Sequence, residues 1–202
     1  MRNRAVTIAG VAVVEFALII SVLALLTLAV VDISRAIQAQ IILISISREG
    51  ASLAARSSGL QMQQIMDALG DSATPGASLT RGLLGPFNAN GMIYITEVMG
   101  YQDTPTSAVR NVVTAKYRWL GGGGYAPSSV VWSCGSWRGD GSCNVPSSRP
   151  TANVMTGQLR AGELIYAVEA FYRFDMFFAP ATLPFGLSTP RVGPDLRAMT
   201  VL

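Results

Sequence analysis

An apolar run near the N-terminus constrains this chain more than any other feature. From Val11 to Val31 it reads Val-Ala-Val-Val-Glu-Phe-Ala-Leu-Ile-Ile-Ser-Val-Leu-Ala-Leu-Leu-Thr-Leu-Ala-Val-Val. At a helical rise of about 1.5 Å per residue, such a run reaches across a hydrocarbon layer roughly 30 Å thick. Arg2 and Arg4 precede it and Asp32 follows. Basic flanks stay in the cytoplasm, so the pattern predicts a cytoplasmic N-terminus and an exported remainder. Composition agrees with one span joined to one modest domain. Of the 202 residues 50% are hydrophobic and 13% charged, too apolar for an ordinary soluble domain and too polar for several spans.

Glu15 interrupts the run. An ionised side chain in lipid costs ~2.5–3.5 kcal/mol near the helix centre and less toward an end. One reading has Glu15 snorkelling to the cytoplasmic interface; the other has a functional carboxylate awaiting a buried cation. Physics alone leaves both open.

Charge narrows the partners. The formal net charge is +3, and Arg2 and Arg4 supply much of the excess. No run of Lys or Arg interleaved with aromatics occurs, so nucleic acid is not an expected partner. The two cysteines, Cys134 and Cys143, lie in Ser-Cys-Gly-Ser-Trp-Arg-Gly-Asp-Gly-Ser-Cys, where little else orders the backbone. In an oxidising compartment a disulfide there stabilises the fold by roughly 2–3 kcal/mol. A redox or metal pair lacks both Cys-x-x-Cys spacing and any histidine. A structural bridge outside the cytoplasm is the expectation, with no metal and no cofactor.

Helical periodicity continues past the apolar run. Ile33, Ile37, Ile41, Ile44, Ala51 and Ala55 fall on one stripe, with Arg35, Gln38, Ser45, Glu49 and Arg56 opposite and Ile42 intruding there. No proline interrupts it, and Ser57-Ser-Gly59 is a plausible stop. One helix over about 11–57 is predicted, then a short second one over about 60–69. The distal stripe is expected to pack on the chain's own sheet. In the membrane half, lateral contact with other helices is expected instead.

After Gly70 the chain turns to short β-like runs between Pro, Gly, Ser and Thr. Strands are predicted over about 92–98, 111–119 and 164–176. In the second, Val113, Ala115, Tyr117 and Trp119 share one side, with Thr114, Lys116 and Arg118 on the other. In the third, Leu164, Tyr166, Val168, Tyr172, Phe174 and Met176 share a side, and these aromatics read as core. The fold class is therefore α+β: a long N-terminal helix, membrane-spanning in its first half, packed on a small antiparallel sheet. A tail carrying Pro180, Pro184, Pro190 and Pro194 follows.

A long connection, about 121–162, separates the second and third strands and holds Gly121–Gly124, Trp132, Trp137 and both cysteines. Loops of this length are functional or disordered. The glycines are followed by Tyr-Ala-Pro rather than Lys-Ser/Thr, so a phosphate loop is excluded. Arg138-Gly139-Asp140 resembles integrin ligands, a match short enough to arise by chance. Contact with a neighbouring subunit or an external target is the functional expectation for this loop. Enzymatic chemistry is not expected: there is no histidine, no Gly-x-Ser-x-Gly, no Ser-x-x-Lys and no paired-carboxylate motif. Lys116, the only lysine, is expected to be solvated, and Glu97, Glu163, Glu169 and Asp175 to stand apart.

Gly10-Val-Ala-Val-Val-Glu15-Phe16 resembles the processing signature of type IV pilin-like proteins, and an aromatic after the glutamate resembles the tight-adherence (Tad, or Flp) branch. The stretch through Val31-Asp-Ile-Ser-Arg35, with Ser47-Arg-Glu-Gly-Ala-Ser-Leu-Ala-Ala-Arg56, is similar to the TadE-like family of minor pilins and pseudopilins. The likeness covers roughly the first quarter of the chain. Many relatives carry proline shortly after Glu-Phe, where this chain has Ile19-Ile20-Ser21 and so lacks a possible kink.

The resemblance implies a leader over 1–10 cut between Gly10 and Val11 by a prepilin peptidase, and an exported domain over 58–202. It implies insertion in a bacterial inner membrane, pilin and pseudopilin subunits as partners, and possible incorporation in an extracellular pilus. Glu15 and Phe16 become assembly residues: the carboxylate is neutralised by the free α-amino group of an adjacent subunit, which fixes register. The rival expectation is a secreted soluble binding protein or adhesin with an ordinary signal peptide cut near Thr27-Leu28-Ala29. An unprocessed membrane-anchored protein is a third, with no positive feature behind it.

Overall fold

The computed structural model describes residues 3–57, 61–73, 90–122, 124–174 and 195–202. The chain divides into two compact units, one holding the first helix through Ile37 and the other beginning at Gln38. Helix α1 spans Asn3–Arg56 and α2 spans Met62–Ser72. The strands are β1 (Gly91–Tyr101), β2 (Arg110–Arg118), β3 (Leu164–Arg173) and β4 (Asp195–Val201). They form one antiparallel sheet in the order β2-β1-β3-β4.

α1 begins well before the expected start, so Gly10 lies within helical backbone. No proline occurs along it, and Ser21 and Thr27 return their hydroxyls to the carbonyls of Ala17 and Leu23 at 2.9 and 2.8 Å. Such bonds leave no hydroxyl unsatisfied in an apolar surrounding. The expected stop at 58–59, the start of the second helix at Leu60, Asp175, Met176 and the four prolines of the tail all lie outside the described residues.

The part of α1 beyond Gln38 packs on the sheet, but not through the expected stripe. Ile41 is 58% exposed and Ile44 36%; of the distal stripe only Ala51 is buried. The buried side is Ala39, Leu43, Ile46, Ser47, Gly50 and Ala54. Closeness of approach explains the correction. A Cβ built on Gly50 would stand 3.0 Å from Leu69 Cδ1 and 3.1 Å from Val168 Cγ1, so small residues face the sheet there. Polar anchors add to this: Ser47 Oγ lies 2.9 Å from Thr200 Oγ1, and Gln40 Nε2 donates to Arg197 O at 2.9 Å.

Residues paired across the strands show two differently covered faces. Ile95 pairs with Val168 and Ile93 with Ala170 on the side of α1 and α2. There Trp119 packs on Gly70, and its Nε1 donates to Asp67 Oδ1 at 2.8 Å. The other face is covered by the 121–162 connection. Val131, Ala152, Val154 and Leu159 of that connection form a core with Val98, Val113, Ile165 and Ala167. The connection is therefore an ordered third layer.

A register shift explains one misplaced side chain. Glu97 pairs with Ala115, but Val98 pairs with Val113, which leaves Thr114 as the extra residue of a bulge. Strict alternation puts Val113 with Tyr117; the bulge turns it to the opposite face. Thr114 Oγ1 donates to Glu97 Oε1 at 2.7 Å, which ties the bulge together. β4 was not expected at all.

Candidate functional site

Two places gather the residues with chemical potential. The first is the N-terminal part of α1. Here Val13, Val14, Phe16, Leu18, Ile19 and Leu23 are all more than half exposed. The helix is long and apolar enough to cross a membrane, and only 6% of its most apolar window is buried. A soluble core helix would bury most of that window. Glu15 is exposed among these apolar side chains and has no hydrogen-bond or ion-pair partner among the described residues. Gly10 and Val11 lie where the helical backbone is described but the side chains are not. Farther along, Asp32 and Arg35 form a buried ion pair at 2.7 Å, one helical turn apart, just past the apolar run. The sequence pattern set Arg35 on an exposed polar face; its pairing with Asp32 and its burial correct that.

The second place lies under the 121–162 connection. Lys116 and Glu169 project from the loop-covered face of β2 and β3, on either side of Tyr94 on β1. Both side chains are fully buried, with Nζ 3.9 Å from Oε2. Ser129 stands between them: Lys116 Nζ donates to Ser129 Oγ and to Trp132 O, each at 2.5 Å. Ser129 Oγ in turn donates to Glu169 Oε2. The Val130 amide donates to the other carboxylate oxygen at 2.8 Å. The only lysine is thus not solvated, and Glu169 does not stand apart. The pair clips the connection to the sheet.

Aromatics complete this cluster. Lys116 Nζ sits 5.0 Å from the Tyr94 ring centroid. Tyr94 stacks on Trp137 at 5.8 Å and meets Phe171 edge-on at the same separation. Burial pushes the Lys116 ammonium down to about 8, with the Glu169 charge opposing that shift. Burial, then the Glu169 charge, pushes the Tyr94 phenol up. A closed pair of this kind can hold a loop. No group of metal-ligating side chains occurs among the described residues.

Cys134 and Cys143 form the expected disulfide, with Cα atoms 6.0 Å apart. Within it, Arg138, Gly139 and Asp140 are exposed on a turn in which Gly141 N donates to Arg138 O at 3.0 Å. Ser142 donates to Asp140 Oδ1 from both its amide and its hydroxyl, at 2.9 and 2.7 Å. The turn is a compact, self-bonded hairpin tip.

Sequence reasoning anticipated the cysteine bridge and missed the Lys116–Glu169 pair. The available signal was that Lys116 and Glu169 both fall on alternating strands bordering a long connection. Comparison with known proteins adds one match: residues 10–52 fit the family model described as TadE-like protein. That segment is helical throughout and ends before the sheet begins. No curated protein and no solved structure matches the chain.

Proposed function

We propose, with the TadE-like match over residues 10–52 as premise, that this chain is a minor pilin or pseudopilin acting in the assembly of a Tad/Flp-type pilus. Initiation, tip placement and regulation of the fibre all fall within that role. In this reading the helix anchors the protein in an inner membrane with its N-terminus in the cytoplasm. A prepilin peptidase cuts between Gly10 and Val11, and other pilin-like subunits are its partners.

The observation that carries the proposal is Glu15. It is a lone carboxylate on an exposed apolar helix, and no group among the described residues neutralises it. In lipid such a charge needs a cation, and a neighbouring chain's α-amino group supplies one. The unbroken run of α1 through Thr27-Leu28-Ala29 supports this reading over a signal peptide cut there, since helix continues to Arg56. The test is the mature N-terminus of membrane-bound protein, sequenced with and without a prepilin peptidase. A peptidase-dependent start at Val11 is expected, and Glu15→Ala should insert normally yet fail to support assembly. A start at Val30 in soluble extract, or full assembly by Glu15→Ala, overturns the proposal.

A further inference from the structure

The two edges of the sheet are treated differently. Along β2 the connection supplies partners: Val113 N bonds Pro150 O, Ala152 N bonds Asn111 O, Arg118 N bonds Gly141 O and Cys143 N bonds Lys116 O, at 2.7 to 2.9 Å. That edge is closed. β4 forms the other edge.

Its hydrogen-bond phase follows from one pair. Leu202 and Tyr166 exchange both backbone bonds, at 2.9 and 3.1 Å. In an antiparallel ladder such pairs alternate with pairs whose backbone groups point away. Thr200, Ala198 and Leu196 therefore bond toward β3, and Val201, Met199 and Arg197 present their amides and carbonyls outward. The Gln40 bond to Arg197 O agrees with that phase. Among the described residues no other group bonds this outward row. β4 carries no proline and no bulge, two of the devices that blunt an edge.

The side chains give the row a character. Arg197 and Met199 project to the same side of the sheet and are exposed, Met199 by 44%. The acid of the strand, Asp195, is occupied at 2.6 Å by the Tyr125 hydroxyl. A cation beside an apolar side chain, along backbone whose outward groups are unbonded apart from Arg197 O, fits an extended partner of matching pattern.

We propose that the outer edge of β4 is a strand-addition site for an extended segment of a neighbouring subunit. That segment sets a carboxylate opposite Arg197 and an apolar side chain opposite Met199. The partner's identity as a subunit rests on the assembly reading above; the edge itself does not.

The test places a photo-crosslinking residue at Met199 of the full-length chain, in membranes of cells that make the whole assembly. An interchain product is expected. Arg197→Glu should lower its yield about fivefold, because like charges then face each other. Retention of the Cys134–Cys143 bridge checks that the variant is folded. A product confined to one chain, no product, or a yield indifferent to Arg197→Glu overturns the proposal. Leader removal at Gly10 in the same cells separates the two readings. Intact processing without an interchain product rejects the edge site alone, whereas absent processing rejects the assembly role.

Discussion

The helix-covered and loop-covered faces of the sheet are sealed by different physics. On the helix side, Leu43, Ile46, Met66 and Leu69 are buried, as are Ile93, Ile95 and Val168, and Gly50 lets α1 approach Leu69 and Val168. Cohesion there comes from apolar area and close packing, which is non-directional. On the loop side, a buried cation, carboxylate and hydroxyl form a chain of directional bonds beside a smaller apolar cluster. Such a network specifies one arrangement of a long connection that has no regular structure of its own. It also makes that face sensitive to the loss of any single member.

Deleting one charge tests the contrast most severely. Glu169→Ala leaves Lys116 buried without its carboxylate and should destabilise the sheet-bearing domain by about 3–5 kcal/mol. Replacing both partners, Lys116→Met with Glu169→Leu, should cost much less than the single change. Thermal unfolding of the full-length chain in detergent reads both; a double variant as unstable as the single one would remove the network from the account. On the helix face no such rescue exists. Leu43→Ala, at a side chain 1% exposed, should cost about 2–4 kcal/mol from lost burial and the cavity left behind. Its effect should appear as global unfolding, while cleavage within 121–162 by added protease marks the Glu169 variant first.

The remaining expected effect is alkaline. Lys116 titrates near 8 in the folded domain and near its ordinary 10.5 in the unfolded chain. Between those values the unfolded state holds a proton that the folded state has released, so stability rises with pH. The burial penalty of the ammonium is present in full below about 8 and fades above it. Tyr94, Tyr117 and Tyr166 are pushed up from 10, so the folded state retains their protons longer. Stability should therefore climb from about pH 8 and turn down above about pH 10. Chemical denaturation across that range should show the climb in the native chain and not in Lys116→Met.

Much of this architecture is legible before any coordinates. The apolar run, the absence of proline from α1, the β-like run of β1 and the alternation in β2 and β3 specify a long helix on a small sheet. The cysteine spacing specifies the bridge. What escapes is decided by tertiary approach. Hydrophobicity marks Ile41 and Ile44 as core, yet the buried side combines Leu43 and Ile46 with the small Ala39, Gly50 and Ala54, and at Gly50 the approach leaves little room for a side chain. Alternation marks Lys116 as solvated, since polar on one side of a strand reads as outward. Here the outward side is covered by a connection whose own sequence gives no sign of packing. Val113 changes face through a single extra residue, Thr114, invisible to period counting. β4 hides because Asp-Leu-Arg-Ala-Met-Thr-Val has no apolar alternation; it is recruited by β3 rather than by its own propensity. The Lys116–Glu169 clip is not legible, because it joins distant parts of the chain.

Burial of the only lysine has a practical consequence for anyone handling the protein. The folded chain shows solvent no side-chain amine, so an amine-reactive dye can mark it only at its α-amino group. If the leader is removed, that group belongs to Val11. The dye then reports the state of the terminus on which the proposed Glu15 pairing depends. A second dye per chain counts molecules whose loop has come away from the sheet. The labelled terminal peptide thus identifies the terminus, and the number of dyes per chain reads domain integrity, with no engineered tag.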